Sequence, residues 1–463
     1  MGFFKAYDMR GTFGADFDLT TVYKVGKALP NVVKRSSATS PRWLVGRDCR
    51  VTSTDVHDAL VQGLKEAGAE VTDLGLCTTS MVYFFTAEDD FDGSVMITAS
   101  HNPPSDNGLK VSMKTALPVG YANGLNEVEK LVASDDSTYT PSPSTTPFTP
   151  SAEHLARYRS WQTKQSNLQT NQHLRYAVDC SNGMSSLLAH DLFPGAVFLN
   201  DTLDGTFPNH SPNPLTASAR EQLAKVVREQ HLDCGVIFDG DADRAMFVDE
   251  KGDFVQPDYL IPIVARATLV ATPPAAGHIP RIIHDVRTSR GAIEAIREMG
   301  CEPVMVPVGH AFAKPILREI QAVCGGELAG HYYFSELFGC DSGILAALRV
   351  LNEVAKAKQK GLSFSQMMTP ITSRYANSGE LNFKVDDKEG AISRVLSVSG
   401  EFSQEISRST MDGIRLEYDE GWINVRKSNT EPIIRVYSEA HTKEEADALA
   451  QQIVDMVYQM LQK

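Results

Sequence analysis

Three segments of this chain repeat one local pattern, and that repetition limits the possible folds more than any other feature. Each segment has an apolar strand, a polar turn, a stretch of helical periodicity closed by Gly or Pro-Gly, and a second apolar strand. They read WLVGRDCRVTSTDVHDALVQGLKEAGAEVTDLG, YAVDCSNGMSSLLAHDLFPGAVFLND and IIHDVRTSRGAIEAIREMGCEPVMVPVG. Strand-helix-strand units build sheets with parallel strands and right-handed crossovers. Three widely spaced copies therefore predict three similar α/β domains with mixed sheets.

The segments between and after these copies predict the domain boundaries. Residues 134–151 are rich in Ser, Thr and Pro and lack periodicity, as is typical of a linker. Gly252 and Pro257 interrupt the pattern between the second and third copies. After about Pro370 alternating strands precede an amphipathic helix, which predicts a C-terminal α+β domain. The predicted domains are 1–150, 151–255, 256–369 and 370–463.

Composition narrows the class of protein and its partners. The 44 basic and 58 acidic residues give a net charge of -14, which argues against nucleic acid or an anionic membrane as the main partner. Any anionic substrate must then be met by local cations. The seven cysteines form no C-x-x-C pair, and the most apolar stretch, near residue 260, is too short to span a bilayer. We expect a cytoplasmic protein.

The motif LDCGVIFDGDADRAMFVDEKG places alternating carboxylates, Asp239, Asp241 and Asp243, directly after an apolar strand. Alternation in an extended loop can converge three carboxylates on one side, which suits Mg²⁺. Glu250 stands where an EF-hand has its twelfth ligand, but Arg244 replaces the turn glycine and strands flank the loop. A solvated acidic turn is the alternative to the magnesium site that we predict.

A second motif, TASHNPPSDNGLK, delivers Ser100 at the end of an apolar strand, where open α/β sheets place ligands. Its hydroxyl could carry a covalently transferred phosphoryl group, with His101 beside it for polar contacts or proton handling. Magnesium held by three carboxylates keeps positions for phosphate oxygens, and Ser100 would supply one. Ser-His adjacency alone is most often structural, and the absence of G-x-S-x-G argues against a hydrolase elbow.

Two further motifs predict binding of an anion and of a sugar. RKSNTEPIIRVYSE gathers cations, hydroxyls and backbone N–H groups at a turn, which suits a phosphate monoester, although a solvated polar hairpin has the same composition. In GGELAGHYYF, Glu327 and His331 are separated by small residues that allow a ligand to approach. A carboxylate and an imidazole are natural partners for sugar hydroxyls, and a glycine-rich turn with a satisfied Glu is the alternative.

In this order the four motifs resemble those of the α-D-phosphohexomutase family, specifically its phosphomannomutase/phosphoglucomutase branch. The resemblance covers nearly the whole chain and includes the shorter matches AYDMRG, GRDCR, VDCSNG, DGTFPNHSPNP and GHAFAK. It implies four domains around one central cleft, each contributing one loop. It also implies a cycle in which phosphorylated Ser100 donates its phosphoryl group to a hexose monophosphate, and the resulting bisphosphate returns the other phosphoryl group.

The family's residue roles carry over position by position. Ser100 would be the phosphoryl carrier, and Mg²⁺ would be bound by Asp239, Asp241 and Asp243 with Ser100. Arg244 would stabilise the transferring charge, while Lys110 and His101 would assist proton transfer. The implied cofactors are Mg²⁺ and hexose 1,6-bisphosphate as an activator. The resemblance implies that the substrate is bound by Tyr7, Arg10, Arg287, His310, Glu327, His331, Arg426, Ser428, Asn429, Thr430 and Arg435.

Departures from the family pattern bear mainly on the choice of sugar. Ala329 stands where a serine is usual, which removes one sugar hydrogen bond, and Arg287 stands where we expect lysine, which keeps the charge but changes the geometry. Ser105 and Ala242 vary less critical positions. We predict a mutase for mannose phosphates and also glucose phosphates, as a monomer or weak dimer. The alternatives are a phosphoglucosamine mutase, disfavoured by Asn429 and Pro104, a Mg²⁺-dependent sugar phosphatase, and a non-catalytic sugar-phosphate-binding protein.

Overall fold

A computed structural model describes residues 2–33, 40–141, 144, 146–165, 173–275, 277–398, 406–428 and 433–461 of the 463-residue chain. These residues form four β-sheets, and each sheet lies within one of the four predicted domain ranges. In the described part of the chain, no helix combines the length and the apolar character needed to cross a membrane.

The first sheet has six strands in the order β1-β5-β4-β2-β3, with β6 paired to β5. Strand β2 is parallel to both β3 and β4, whereas β4 and β5 are antiparallel. The strands are β1 (Met9–Thr12), β2 (Arg42–Arg47), β3 (Glu70–Leu76), β4 (Gly93–Ile97), β5 (Asp106–Met113) and β6 (Leu117–Pro118). The helices of this part are α1 (Leu19–Val32), α2 (Ser53–Glu66), α3 (Thr79–Glu88) and α4 (Leu125–Ser134).

The second sheet has the strand order β11-β10-β9-β7-β8. Its strands are β7 (Tyr176–Asp179), β8 (Val197–Leu199), β9 (Cys234–Phe238), β10 (Ala245–Asp249) and β11 (Phe254–Val255). Its helices are α5 (Ala152–Lys164), α6 (Ala189–Leu192) and α7 (Ala217–Glu229).

The third sheet has the strand order β13-β12-β14-β15-β16. Its strands are β12 (Arg281–Asp285), β13 (Glu302–Val306), β14 (Cys324–Gly326), β15 (Tyr332–Phe334) and β16 (Cys340–Asp341). Its helices are α8 (Ile261–Ala271), α9 (Arg290–Glu298), α10 (His310–Glu319), α11 (Gly343–Gln359) and α12 (Phe364–Thr372). Helix α12 spans the predicted division at residue 370.

The fourth sheet is antiparallel throughout, in the order β17-β22-β21-β20-β19 with β18 on β22. Its strands are β17 (Ala376–Asn377), β18 (Leu381–Lys384), β19 (Ser407–Ser409), β20 (Ile414–Glu417), β21 (Gly421–Lys427) and β22 (Ile433–Ala440). Two helices, α13 (Lys388–Val398) and α14 (Lys443–Leu461), accompany it. The predicted fold class, three similar mixed-sheet α/β units and a C-terminal α+β unit, is confirmed.

The first three sheets share one arrangement, which decides where the predicted motifs lie. In each, a central strand is parallel to two neighbours, and one of those neighbours is followed by an antiparallel partner: β4 by β5, β9 by β10, and β14 by β15. The serine, aspartate and sugar motifs are the loops of these three equivalent hairpins, and the phosphate motif is the loop between β21 and β22. The repeated topology therefore places each motif at an equivalent end of its sheet.

The apolar core binds the first three units to one another more closely than to the fourth. A single buried cluster contains Met96 of the first sheet, Phe238 of the second and Phe334 of the third. The fourth sheet packs its helices on a separate cluster that includes Ile423 and Val436. Contacts between the third and fourth units include charged side chains: Arg290 pairs with Glu417 at 2.8 Å, and the Arg415 guanidinium donates to the Val286 carbonyl at 2.5 Å. Polar contacts of this kind are typical of interfaces that permit relative motion.

Candidate active site

Ser100 lies in a tight turn at the end of β4. Its backbone has a φ of 52°, a left-handed conformation that is uncommon for serine and is found most often at functional sites. The backbone N–H donates to Thr98 Oγ1 at 2.8 Å. The hydroxyl donates to Asp239 Oδ2 at 2.9 Å and lies 3.2 Å from His101 Nδ1, and the side chain is only 1 % exposed. The turn thus brings the predicted carrier against the aspartate motif.

Arg50 holds the serine turn in place. It is a buried residue to which sequence analysis gave no role. Its guanidinium is oriented by Asp48, at 3.1 Å, and packs over the ring of Phe207. It donates four hydrogen bonds of 2.6 to 2.9 Å to backbone carbonyls of the loop, those of Ser100, Asn102, Pro103 and Asp106. Because the guanidinium fork is rigid, these bonds fix the path of the whole loop.

The three predicted metal ligands converge after β9. Asp239, Asp241 and Asp243 are fully buried, and one carboxylate oxygen of each lies within 4.8 Å of those of the others. A second oxygen on each of Asp241 and Asp243 is buried and accepts no hydrogen bond from the described residues. The loop approaches the serine turn closely, since a Cβ on Gly240 would lie 2.5 Å from the carbonyl oxygen of Ser100. Such converging, unsatisfied carboxylate oxygens fit a hard divalent cation.

Lys110 partly balances this charge. Its ammonium lies 2.7 Å from Asp241 Oδ2 and 2.6 Å from Asp243 Oδ2, and these carboxylates raise its pKa although burial opposes the charged form. Burial and the charges of Asp243 and Asp241 nevertheless raise the pKa of Asp239 well above its ordinary value. The cluster is therefore short of positive charge even with Lys110 in place, as expected of a cation site.

Arg244 joins the aspartate loop to the sugar loop. Its backbone N–H donates to Asp239 Oδ1 at 3.2 Å, and its Nε–H donates to His331 Nε2 at 3.0 Å. An isolated antiparallel bridge also pairs the backbones of Arg244 and His331. Together with burial, Arg244 and Arg10 lower the pKa of His101 well below its usual range, so that the imidazole beside Ser100 is neutral.

The predicted sugar-binding residues lie on one wall of this site. Glu327 is buried and accepts a short hydrogen bond from the Tyr333 hydroxyl, and burial raises its pKa. The ring of His310 lies 5.9 Å from that of His331, and burial lowers the pKa of His310 well below its usual range. Tyr7 is 6.3 Å from His310, centroid to centroid. The structure thus brings these residues together, with Glu327 and His331 already engaged by protein partners.

Two arginines of the predicted substrate-binding set, Arg10 and Arg287, contact loops of the site. Arg10 pairs with Asp8 and donates to Asn102 Oδ1 at 3.3 Å, so it contacts the serine loop directly. Arg287 donates to Asp285 Oδ2 at 2.5 Å, and the same oxygen accepts the backbone N–H of Leu328 at 3.0 Å. Arg287 is therefore tied, through one carboxylate, to the sugar loop.

The predicted phosphate motif is described only in part. Asn429 and Thr430 lie outside the described residues, whereas Arg426 and Arg435 face each other across β21 and β22. Both pair with Glu380, at 3.0 and 2.6 Å, a residue that sequence analysis did not single out. Ser428 begins the loop, with its N–H bonded to the Ile433 carbonyl. The guanidinium groups of Arg426 and Arg435 therefore pair with the Glu380 carboxylate at the position where the motif predicts a bound phosphate.

Other buried polar residues complete the site without having been assigned a role from sequence. Thr79 donates to Asp241 Oδ2 at 2.5 Å. Asp341 lies 2.9 Å from His331 Nδ1 and 2.8 Å from Lys314 Nζ. Arg50 and Lys314 stand in the short matches GRDCR and GHAFAK, so the signal was present, whereas no motif pointed to Thr79, Asp341 or Glu380. Glu250, the EF-hand candidate, instead binds Ser363 and Ser365 at the start of α12.

Comparisons with known proteins agree with this geometry. Four domain models of phosphoglucomutase/phosphomannomutase match: alpha/beta/alpha domains I, II and III over residues 1–139, 152–252 and 256–375, and the C-terminal domain over residues 380–456. Phosphohexose mutases of Xanthomonas campestris pv. campestris are 35% identical over 441 residues, 94% of each chain, and a phosphomannomutase of Vibrio cholerae is 33% identical over 451 residues, again 94% of each. The crystal structure of a phosphoglucomutase/phosphomannomutase family protein from Burkholderia thailandensis superposes with a TM-score of 0.83 at 27% identity, covering 99% of this chain and 96% of that one.

Proposed function

The chain belongs to the phosphoglucomutase/phosphomannomutase family and is an intramolecular phosphotransferase, and from that premise we propose that it interconverts hexose 1-phosphates and hexose 6-phosphates, those of mannose and also of glucose. The reaction proceeds through phosphorylated Ser100 and a hexose 1,6-bisphosphate. The bisphosphate also serves as the activator that phosphorylates Ser100 in the resting protein. One observation carries the proposal: the Ser100 hydroxyl is hydrogen-bonded to a carboxylate of the buried acidic cluster, beside Lys110 and Arg244.

The proposed cycle consists of two phosphoryl transfers in opposite directions, the first from Ser100 to the sugar and the second from the sugar to Ser100. In the first, the bond between the phosphorus and the Ser100 oxygen breaks, a bond forms to the free hydroxyl oxygen of the substrate, and that hydroxyl loses its proton. After the bisphosphate has reversed its orientation, its other phosphoryl group returns to the Ser100 oxygen and the sugar oxygen regains a proton. His101, 3.2 Å from Ser100 Oγ, is placed to handle this proton. Atoms balance, because the phosphoryl group lost by the protein is replaced.

Charge neutralisation is the main task of the protein in phosphoryl transfer. Asp239, Asp241 and Asp243 would hold Mg²⁺, which when bound neutralises negative charge on the phosphoryl oxygens. Lys110 contributes positive charge from within the carboxylate cluster. Arg244, bonded at its Nε to His331, keeps its two terminal nitrogens for the transferring group. The three buried carboxylates fit the metal.

Burial of Ser100 favours a mutase over a phosphatase. The side chain is 1 % exposed and is enclosed by Asp239, His101 and the turn that Arg50 holds. A phosphoserine at this position would be poorly accessible to bulk water, whereas a sugar hydroxyl bound in the cleft would be held beside it. This shielding supports transfer of the phosphoryl group to a bound sugar over its release as free phosphate.

Substrate recognition is divided between two regions. Glu327, His310 and Arg287 of the third unit contact the sugar together with Tyr7 of the first unit, and His331 adjoins the sugar with its two ring nitrogens engaged by Asp341 and Arg244. Arg426 and Arg435, with Ser428, Asn429 and Thr430, hold the phosphate that is not being transferred. We propose that the C-terminal domain, residues 370–463, turns on its polar interface with domain 256–369 to admit and release substrate, while domains 1–150 and 151–255 hold the reacting groups.

The shared phosphate grip makes a prediction about Arg426. Arg426→Ala should raise the KM for mannose 1-phosphate and glucose 1-phosphate about 10- to 100-fold by equal factors, because a charge-assisted hydrogen bond to phosphate is lost and the sugar is untouched. Steady-state kinetics with both sugars would measure this. Lys427→Ala is the matched control, since Lys427 is exposed and, among the described residues, its ammonium pairs only with Glu389. A loss several times larger for one sugar would contradict the shared grip.

The proposed function is tested by ³¹P NMR. Protein, Mg²⁺ and a trace of hexose bisphosphate are incubated with mannose 1-phosphate or with glucose 1-phosphate, and the 6-phosphate and free phosphate resonances are followed. We expect the 6-phosphate to appear without free phosphate, and the two initial rates give the preferred sugar. Free phosphate as the product would establish a phosphatase, and conversion of glucosamine phosphate alone would assign the chain to that sugar instead.

A further inference from the structure

We propose that Asp341 is a positioning residue that fixes the tautomer of His331 and through it aims Arg244 at the transferring phosphoryl group. Two contacts link the three side chains: Asp341 Oδ2 lies in close ionic contact with His331 Nδ1 at 2.9 Å, and Arg244 Nε–H donates to His331 Nε2 at 3.0 Å. Asp341 and His331 are buried. The kinetic consequences of this inference rest on the proposed function, whereas the contacts between the side chains do not depend on it.

The tautomer follows from the Arg244 contact. A guanidinium Nε–H is a donor and never an acceptor, so His331 Nε2 must present its lone pair to Arg244. A neutral imidazole then carries its proton on Nδ1, the nitrogen that lies 2.9 Å from Asp341 Oδ2 and 3.8 Å from Asp243 Oδ1. The negative charge of the Asp341 carboxylate therefore favours the tautomer with the proton on His331 Nδ1. If the proton were on Nε2 instead, two donors, the His331 Nε2–H and the Arg244 Nε–H, would face each other.

Lys314 contacts the other carboxylate oxygen of Asp341 and keeps this carboxyl group ionised. Its buried ammonium lies 2.8 Å from Asp341 Oδ1 and 3.7 Å from the centroid of the Tyr83 ring. Although burial opposes ionisation, Lys314 and His331 hold the pKa of Asp341 well below its usual range. Asp341 is therefore a carboxylate with one oxygen facing a permanent donor and the other facing His331.

Asp341 and His331, together with His310, lie close enough to one another to resemble a metal site. Two contacts argue against that assignment. Ligation through His331 Nδ1 while Nε2 accepts from Arg244 would require an imidazolate, and a cation at Asp341 would lie beside the Lys314 ammonium. The contacts instead suit an orienting chain that ends at Arg244, whose terminal nitrogens remain for substrate.

This arrangement makes Asp341→Asn a sharp probe. Lys314 has only donors, so the new amide must turn its oxygen toward Lys314 and its NH₂ group toward His331. His331 Nδ1 must then accept, which moves the ring proton to Nε2 and opposes the Arg244 Nε–H. We expect kcat to fall about 100-fold, within the range measured when residues that orient active-site groups are changed, with KM altered less than about threefold.

Adding Lys314→Met separates positioning from a merely structural role. Without Lys314 the amide is free to rotate, present its oxygen to His331 Nδ1–H and restore the original tautomer. The double variant should therefore regain about tenfold in kcat over Asp341→Asn alone, although it carries one more buried change. If Asp341 acted only through stability, the second substitution would bring no recovery; that result, or an Asp341→Asn kcat within threefold of wild type, would overturn the inference.

A second measurement reads the tautomer in the wild-type protein and uses a variant only to assign the resonance. Long-range ¹H–¹⁵N correlation spectra of the wild-type full-length protein distinguish the two histidine tautomers, and a His331→Gln variant assigns the resonance. We expect protonated Nδ1 at His331, and protonated Nε2 would refute the inference. Wild-type protein without mutase activity would refute the proposed function instead, so the two failures are distinguishable.

Discussion

Replacing Ser100 by alanine is expected to lower mutase turnover by at least about 10⁴-fold, because the hydroxyl oxygen is the atom to which the phosphoryl group is attached in both halves of the proposed cycle. Binding of hexose phosphate should remain within a fewfold of wild type, since Ser100 is not part of either proposed binding region. Stability should fall by about 1–3 kcal/mol, because the buried Asp239 carboxylate loses a hydrogen-bond donor. Coupled kinetics, substrate titration and thermal unfolding measure the three quantities.

Ser105→Ala is the matched control for this experiment. Ser105 lies in the same loop but is exposed, and its hydroxyl contacts only Asp106, at 3.3 Å, among the described residues. It should retain wild-type turnover and should incorporate phosphate from the bisphosphate like wild type. A Ser100→Ala protein that turned over at the rate of the Ser105→Ala protein would show that Ser100 is not the carrier.

Removing the metal is expected to have the second largest effect. Dialysis against a chelator should abolish turnover, and Mg²⁺ should restore it, because three buried carboxylates and a phosphoryl group cannot be balanced by Lys110 and Arg244 alone. At a Mg²⁺ concentration about one hundred times its Kd, binding should add about 2.7 kcal/mol to the free energy of unfolding. Thermal unfolding with and without Mg²⁺ measures this second effect independently of activity.

Asp241→Asn tests which residues hold the ion. The variant should lower turnover at least about 10³-fold at limiting Mg²⁺ and lose most of the Mg²⁺-dependent stabilisation. Asp253→Asn, which changes an exposed aspartate beyond β10, is the matched control and should behave as wild type. Equal Mg²⁺-dependent stabilisation in the two variants would place the ion elsewhere.

The position of the proposed reacting groups could be predicted from sequence because it depends on local pattern. Ser100 and Asp239 each follow an apolar strand that the sequence marks clearly, and the ends of these two equivalent strands lie together, since Ser100 Oγ donates to Asp239 Oδ2 at 2.9 Å. Helix α2 illustrates the limit of local reasoning. The sequence offers Thr52, Ser53 or Thr54 to cap its start and places Val56, Leu60 and Leu64 on one face; the helix begins at Ser53, and these three apolar residues are buried. The Thr52 hydroxyl does not cap the helix but accepts a hydrogen bond from Asn107, a partner 55 residues away.

What could not be predicted depends on contacts between distant parts of the chain. Arg50 reaches a loop some fifty residues away, and His331 is bonded across 87 residues to Arg244. No periodicity or spacing connects such pairs. Glu327 shows the same limit, since its motif indicates a sugar ligand but not that the Tyr333 hydroxyl already bonds one of its oxygens. Glu380 was missed because an isolated glutamate before a strand carries no signal for pairing with Arg426 and Arg435.

A single-turnover transfer of labelled phosphate tests the central claim most directly. Protein phosphorylated with ³²P-labelled glucose 1,6-bisphosphate, and freed of small molecules, is mixed with one equivalent of unlabelled mannose 1-phosphate and Mg²⁺. We predict that the label leaves Ser100 and appears first in mannose 1,6-bisphosphate and then in mannose 6-phosphate, without labelled inorganic phosphate. Label that is released as inorganic phosphate, or that stays on the protein while 6-phosphate is formed, would contradict a mutase that works through phosphorylated Ser100.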